Sequence, residues 1–164
     1  MGLGWAAGFR CSRPNADIQD MEYVEPRTRR DREASLLGLA AAYQHRALGA
    51  FEAAVRPDMT LTLAGSSRLA GTYHGYDSFG RYLEILREVM SAARKPIRFE
   101  HSSDEMIFRQ VMIVSGPQHD VEMTLVVTVS YDDAGLIESF RVEPEDQGLF
   151  DYVIDTSSIS EMSS

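Results

Sequence analysis

The chain has 164 residues, room for one domain with a sizeable core but short for two. Its 25 acidic against 16 basic side chains leave a net charge of −9, so the positive field that nucleic-acid binding needs is missing. The lone cysteine, Cys11, excludes an intrachain disulfide, and no apolar run approaches the ~18 residues of a membrane span.

Residues 1–30 read as a loosely ordered extension, punctuated by Pro14, Asn15 and Pro26 and closed by the charge run Arg27-Thr28-Arg29-Arg30. The opening Met1–Phe9 is faintly apolar but too short, and without leading positive charge, for a secretory signal; a cytoplasmic location is the expectation. From Asp31 to about Val55, apolar residues recur at spacings of three and four (Leu36, Leu39, Ala40, Tyr43, Ala47, Phe51), the stripe of a core-facing helix that Gly49 bends or splits. Pro57-Asp58 ends it, and Met59–Leu63 alternates with the period of a strand. Three glycines between Gly65 and Gly75 surround a short extended piece, Leu69–Tyr73.

Asp77 is positioned to cap a second helix whose buried face is Phe79, Tyr82, Leu83, Leu86, Val89, Met90 and Ala93, stopped by Lys95-Pro96. Beyond it the chain is nearly all strand: Ile97–Ser102, Met106–Ser115, Val121–Tyr131 and Leu136–Val142. Short, turn-rich connections make these antiparallel neighbours. The acidic stretch Glu143–Asp151 folds back as a short helical turn, and residues 156–164 form a serine-rich flexible tail. Helices first and a curved sheet after them define an α+β domain over residues 31–155, with the helices closing one face of the sheet.

Three motifs carry a resemblance: Arg56-Pro57-Asp58 before the first strand, Gly65 through Gly75 leading into Asp77, and Gly135-Leu136-Ile137 followed by Asp146-Gln147 and Asp151. In this order and spacing the chain resembles the SnoaL-like polyketide cyclases of the nuclear-transport-factor-2-like superfamily, which also holds ketosteroid isomerase and limonene epoxide hydrolase. The resemblance implies a cone-shaped sheet, antiparallel or mixed, wrapped around the N-terminal helices. It also implies a cavity for a small apolar or amphipathic molecule, and a homodimer. It implies no cofactor, and the scattered histidines give no metal-binding spacing.

The family's catalytic carboxylates are missing. Matched without gaps through Asp58, the isomerase base falls on Leu63, its tyrosine on Leu39, and its protonated acid on Val127. The Asp-Arg-Asp set of the epoxide hydrolase falls on Val142, Arg109 and Val111, so only the arginine survives, and valine can neither activate water nor protonate an epoxide. The same matches turn Met59, Leu61, Leu63, Ile107, Arg109, Val111, Ile113, Leu125, Val127, Val129, Phe140 and Val142 inward.

Arg109 then either meets a ligand oxygen or an internal acid such as Glu100 or Glu143, or faces solvent, because an unpaired guanidinium in an apolar cup costs several kcal/mol. His101 is a candidate base or a histidine bonded to backbone. Tyr43 can donate to a bound oxygen or pack in the core. The remaining expected ligand contacts are Leu39, Leu61, Leu63, Tyr73, His74, Tyr82, Phe99, Val111, Leu125, Val127, Phe140 and Val142. The expected function is acid–base chemistry of the isomerase, cyclase or hydrolase type on a small lipophilic oxygenated substrate, carried by Arg109, His101 and Tyr43. The alternative is a non-catalytic ligand-binding or dimerisation module.

Overall fold

The computed structural model describes residues 24–94, 96–115 and 118–156. Helix α1 (Pro26–Gln44) is followed by α2 (Leu48–Ala54), β1 (Val55–Leu63), β2 (Gly71–His74), α3 (Tyr76–Val89) and β3 (Met90–Ala93). Then come β4 (Ile97–His101), β5 (Glu105–Ser115), β6 (Asp120–Tyr131), β7 (Ile137–Pro144) and α4 (Gln147–Thr156). The strands form one sheet in the order β2-β1-β7-β6-β5-β3, with β4 also paired to β5. The pairs β4–β5, β5–β6 and β6–β7 are antiparallel, as their short connections require, whereas β1 runs parallel to β7, which makes the sheet mixed.

The first long helix starts at Pro26, five residues inside the expected extension, and breaks at Arg46 rather than at Gly49. Arg46 sits at φ 59, a left-handed conformation that ends a helix. The second helix is shorter than its periodicity suggests: residues 90–93 leave it and pair with β5 as strand β3. Proline is the natural occupant of a first helical turn, which fits the early start of α1.

The sheet's concave face and the helices share one core, with Phe51, Met59, Leu61, Met106, Leu125 and Val129 sealed almost completely from solvent. Parity along β5 differs from the expectation. Phe108 pairs with Val127, Met106 with Val129 and Met112 with Met123, so the even-numbered residues of β5 turn inward and Ile107, Arg109, Val111 and Ile113 form the outer face. Between Met106 and Val114 both faces of β5 are apolar with one polar interruption each, Gln110 on one side and Arg109 on the other. Enclosing a neutral amide costs far less than enclosing a guanidinium, so the strand settles with Gln110 inside.

The motifs behind the resemblance do structural work here. Arg56 donates to the Asp58 carboxylate (both bonds 2.8 Å) and lies 3.6 and 3.7 Å from the carboxylates of Asp132 and Glu138, which ties the start of β1 to the β6–β7 turn. In that turn the Asp132 carboxylate accepts from the backbone N–H groups of Ala134 and Leu136, and Gly135 takes φ 85.

The loop after β1 docks α4. Asp151 accepts from the Ser66 N–H and hydroxyl (both 3.1 Å), Gln147 donates to the Ala64 carbonyl and to Asp151, and Asp155 accepts from the Arg68 N–H. Gly65 is at φ 112, a conformation that favours glycine, and a Cβ there would push the Gln147 amide out of its docking position.

Candidate functional site

Between α1, α3 and the concave sheet lies a cavity of about 250 Å³. Helix α3 is amphipathic, and its residues Phe79, Tyr82, Leu83 and Leu86, spaced three and four apart, form one wall. Helix α1 contributes Leu36, Leu37 and Leu39, and the strands contribute Leu61, Phe108, Gln110, Met112, Val127, Phe140 and Val142, with Pro96 completing the lining. Leu37 lines the cavity while remaining 57% exposed, so an opening lies beside it.

Two polar side chains line this space, Gln110 and Tyr82. The Gln110 amide donates to the backbone carbonyl of Arg94. The Tyr82 hydroxyl forms no hydrogen bond among the described residues, and burial pushes its phenol well above the ordinary range. No carboxylate, imidazole, lysine, arginine or thiol lines the cavity among the described residues. A far smaller void of about 10 Å³ lies beyond it, floored by Phe150, Val153 and Ile154 of α4, and Tyr82, Leu86 and Met112 border both spaces.

Of the residues expected in contact with a ligand, the cavity brings together Leu39, Leu61, Tyr82, Val127, Phe140 and Val142. Leu63 faces the small void, and Leu125 is core. Tyr73 donates its hydroxyl to the Leu69 carbonyl (2.8 Å) and packs against the core rather than lining the cavity. His74 is exposed and paired with Thr60 on the outer face. Phe99 packs on Phe108, one ring behind the cavity wall. Val111 and Arg109 are on the outer face through the parity of β5.

Arg109 therefore does not anchor the cavity. Its guanidinium is 3.4 Å from Glu145 and 3.8 Å from Glu100, and the side chain is 26% exposed, an ion pair at the sheet surface. His101 is inside the protein (side chain 4% exposed) but not in the cavity lining. Its Nε2 lies 2.8 Å from a Glu33 carboxylate oxygen, its ring stacks beside Phe99, and its buried Nδ1 has no partner among the described residues. Tyr43 lies in the last turn of α1, and its side chain is outside the described residues. Arg109 and His101 are engaged with different acids, Glu145 and Glu33, and neither lines the cavity.

The pair Arg32 and Glu33 fastens α1 to the sheet instead. Arg32 donates to the carbonyls of Ser102 (2.8 Å), Ser103 (2.6 Å) and Glu105 (3.4 Å) and lies 4.4 Å above the Tyr131 ring, whose phenol burial pushes up to about 12. These contacts hold the helix whose leucines roof the cavity. Among the described residues no group of three potential ligands can hold a metal ion, and no helix is long and apolar enough to cross a membrane.

Sequence reasoning missed Gln110, Phe108 and Met112. The only available signal was the polar interruption in the even-numbered set of β5, which competed with the adjacent arginine in the odd-numbered set.

No family model matches the sequence, and no curated protein does. Solved structures match in fold. An NTF2-like protein of unknown function from Burkholderia pseudomallei is 19% identical, with a TM-score of 0.57 over 76% of this chain and 96% of its own. TerC, crystallized with polyporic acid, is 17% identical, with a TM-score of 0.57 over 75% of this chain and 97% of its own. Bal32a, from a soil-derived mobile gene cassette, is 15% identical, with a TM-score of 0.60 over 76% and 97%. At such identities the likeness is one of architecture: the chain has the NTF2-like fold, α+β with N-terminal helices against a curved mixed sheet.

Proposed function

We propose that this protein binds a small, largely apolar molecule in the cavity between α1, α3 and the sheet, without transforming it. The observation that carries the reading is the lining: among the described residues every wall is hydrocarbon except for one amide and one phenol. Acid–base catalysis needs a group that exchanges protons near the working pH, within reach of the substrate. Arg109 and His101 are engaged elsewhere, with Glu145 and Glu33. The volume is that of a ligand with roughly one or two six-membered rings, judged against a 150 Å³ apolar cavity that accepts benzene. That the similar fold of TerC was crystallized with polyporic acid supports a ring-bearing ligand. Within the NTF2-like fold, the order of the three motifs supports kinship with the SnoaL-like group, here without its carboxylates.

A second copy of the chain is the proposed partner. The outer face sets Ile107, Val111 and Val126 among Arg109, Arg141, Glu143 and Glu145, so both signs of charge are present for a twofold pairing.

The test is solvent extraction of the purified protein followed by mass spectrometry. Binding without chemistry predicts one apolar compound near one-to-one stoichiometry, recovered unchanged after long incubation with the protein. Recovery of a converted compound would overturn the reading in favour of an enzyme.

A further inference from the structure

The cavity and the void under α4 are two parts of one trough. On β1, Leu61 lines the cavity and Leu63 the void; on β5, Gln110 lines the cavity and Val114 the void. On β6, Val127 borders the cavity and Met123 the void. Successive inward residues of a strand stand roughly 7 Å apart, so all three strands set the void in line with the cavity, just beyond its inner end. Among the described residues α1 lines the cavity but not the void, which therefore lies away from the opening beside Leu37. Only Tyr82, Leu86 and Met112 border both spaces, and they form the partition between them.

Of these three, Met112 is the one able to move. Tyr82 is a rigid ring and Leu86 branches at its γ carbon, whereas a methionine has an unbranched stem with three rotatable bonds and adapts to irregular gaps. Met112 is sealed from solvent and pairs across the sheet with Met123, a second methionine, which lines the void. The void measures about 10 Å³, and its lining among the described residues is aliphatic, aromatic and thioether, the kind of space that stays dry. Side chains around an empty space forfeit dispersion contacts, and a group that swings into it recovers them. Retraction of the Met112 thioether toward α4 therefore deepens the cavity at the cost of little more than a rotamer change. The far end is closed by Phe150, Val153 and Ile154 of α4, which the bonds of Asp151 and Gln147 hold against the loop after β1, so the added depth is short.

Resting on the binding function proposed above, we propose that Met112 is a retractable floor of the cavity, and that the ligand is an elongated molecule, a ring bearing a short unbranched hydrocarbon chain that points toward α4. A narrow chain follows the thioether as it withdraws. A branched substituent is wide at its base and stops at the floor. Met112 is thus a specificity-determining residue that reads the shape of the chain, while the walls nearer the opening hold the ring.

Calorimetric titration with tetralin, n-butylbenzene and tert-butylbenzene tests this; the last two are isomers, so only the shape of the chain differs. Each methylene seated is worth roughly fourfold in affinity, so the wild type should prefer the n-butyl isomer by about 4- to 15-fold, the effect of one or two methylenes. Met112→Leu conserves volume and is tolerated in cores, but its branched side chain cannot withdraw into the void. Val114→Ile fills the void from a residue that does not line the cavity. Either substitution should bring the two isomers within about twofold of each other and leave tetralin within about twofold of the wild type. Equal binding of the isomers to the wild type, or tighter binding of the branched one, would overturn the elongated class while tetralin still reports the cavity. A preference unchanged by both substitutions would overturn the assignment to Met112 and the void. Failure of all three probes to bind the wild type would overturn the cavity reading and this inference with it. Methyl signals of labelled methionines need no variant: n-butylbenzene should shift both Met112 and Met123, and tetralin Met112 without Met123. A Met123 signal that holds still with n-butylbenzene bound would contradict retraction.

Discussion

Val127→Phe separates a hollow interior from a packed one by the sign of its effect. Val127 sits on β6 opposite Phe108 and Val142, is buried, and borders the cavity of about 250 Å³. If the space is empty, the larger side chain extends into it. The added carbon is roughly three methylenes' worth of apolar surface, about 2.4 kcal/mol gross at ~0.8 kcal/mol each. Ordering the new ring removes some of this, on the order of 0.5–1 kcal/mol, so a net gain of about 1–2 kcal/mol is expected. For a domain of this size that raises the thermal midpoint by about 2–8 °C. In a close-packed core the same change costs about 1–3 kcal/mol and lowers the midpoint. Thermal unfolding followed by circular dichroism reads the sign. Tetralin titration should show binding weakened at least tenfold, because the phenyl ring takes the guest's place. A variant that is destabilised and still binds tetralin like the wild type would refute the account of the interior.

Other consequences follow from residues outside the cavity. Asp151→Ala should cost about 1–2 kcal/mol, the loss of several bonds to a partly solvated carboxylate, read as a lowered midpoint at neutral pH. Burial alone would raise the pKa of Asp151, but hydrogen bonds from Ser66, Gln147 and Ser67 outweigh it and hold the group below its ordinary value. Its contribution is therefore fully present above that ordinary value of 3.8 and fades as pH falls through the lower folded value. Wild type and Asp151→Ala should accordingly converge in stability on acidification, and a gap that widened would contradict the assignment. Arg109→Ala should leave probe binding within about twofold and stability within ~1 kcal/mol, as for a surface ion pair; a collapse of binding would return that residue to the site. Arg32→Ala removes three bonds to the β4–β5 turn and the contact over Tyr131, so protection of α1 amides from hydrogen exchange should fall before that of the sheet.

The helix face that walls the cavity was legible in the sequence, because Phe79, Tyr82, Leu83 and Leu86 keep an unbroken helical period with polar residues between them. The antiparallel strands were legible for a different reason: their connections are too short for any other pairing. What failed was a choice between two faces of one strand. In β5 both the odd and the even residues are mostly apolar, so periodicity is silent, and the Gly116-Pro117 turn signal in the sequence could not fix the count. The one discriminating fact, that an inward glutamine costs less than an inward arginine, is energetic rather than periodic. Motif likeness pulled the other way by lending Arg109 a catalytic ancestry. His101 shows a related limit: sequence left it as a candidate base or a histidine bonded to backbone, and its partner Glu33 lies 68 positions away and becomes visible only when α1 is docked.

The most direct measurement uses the methionines as reporters of the interior. Met112 borders the cavity, whereas Met59 and Met106 are sealed in the core away from it. In a protein labelled at the methionine methyl carbons, titration with tetralin should shift the Met112 signal along a saturable one-to-one curve, while the Met59 and Met106 signals hold still. A spectrum unchanged up to the solubility of tetralin, or one in which all three methyls drift together, would contradict a preformed apolar site.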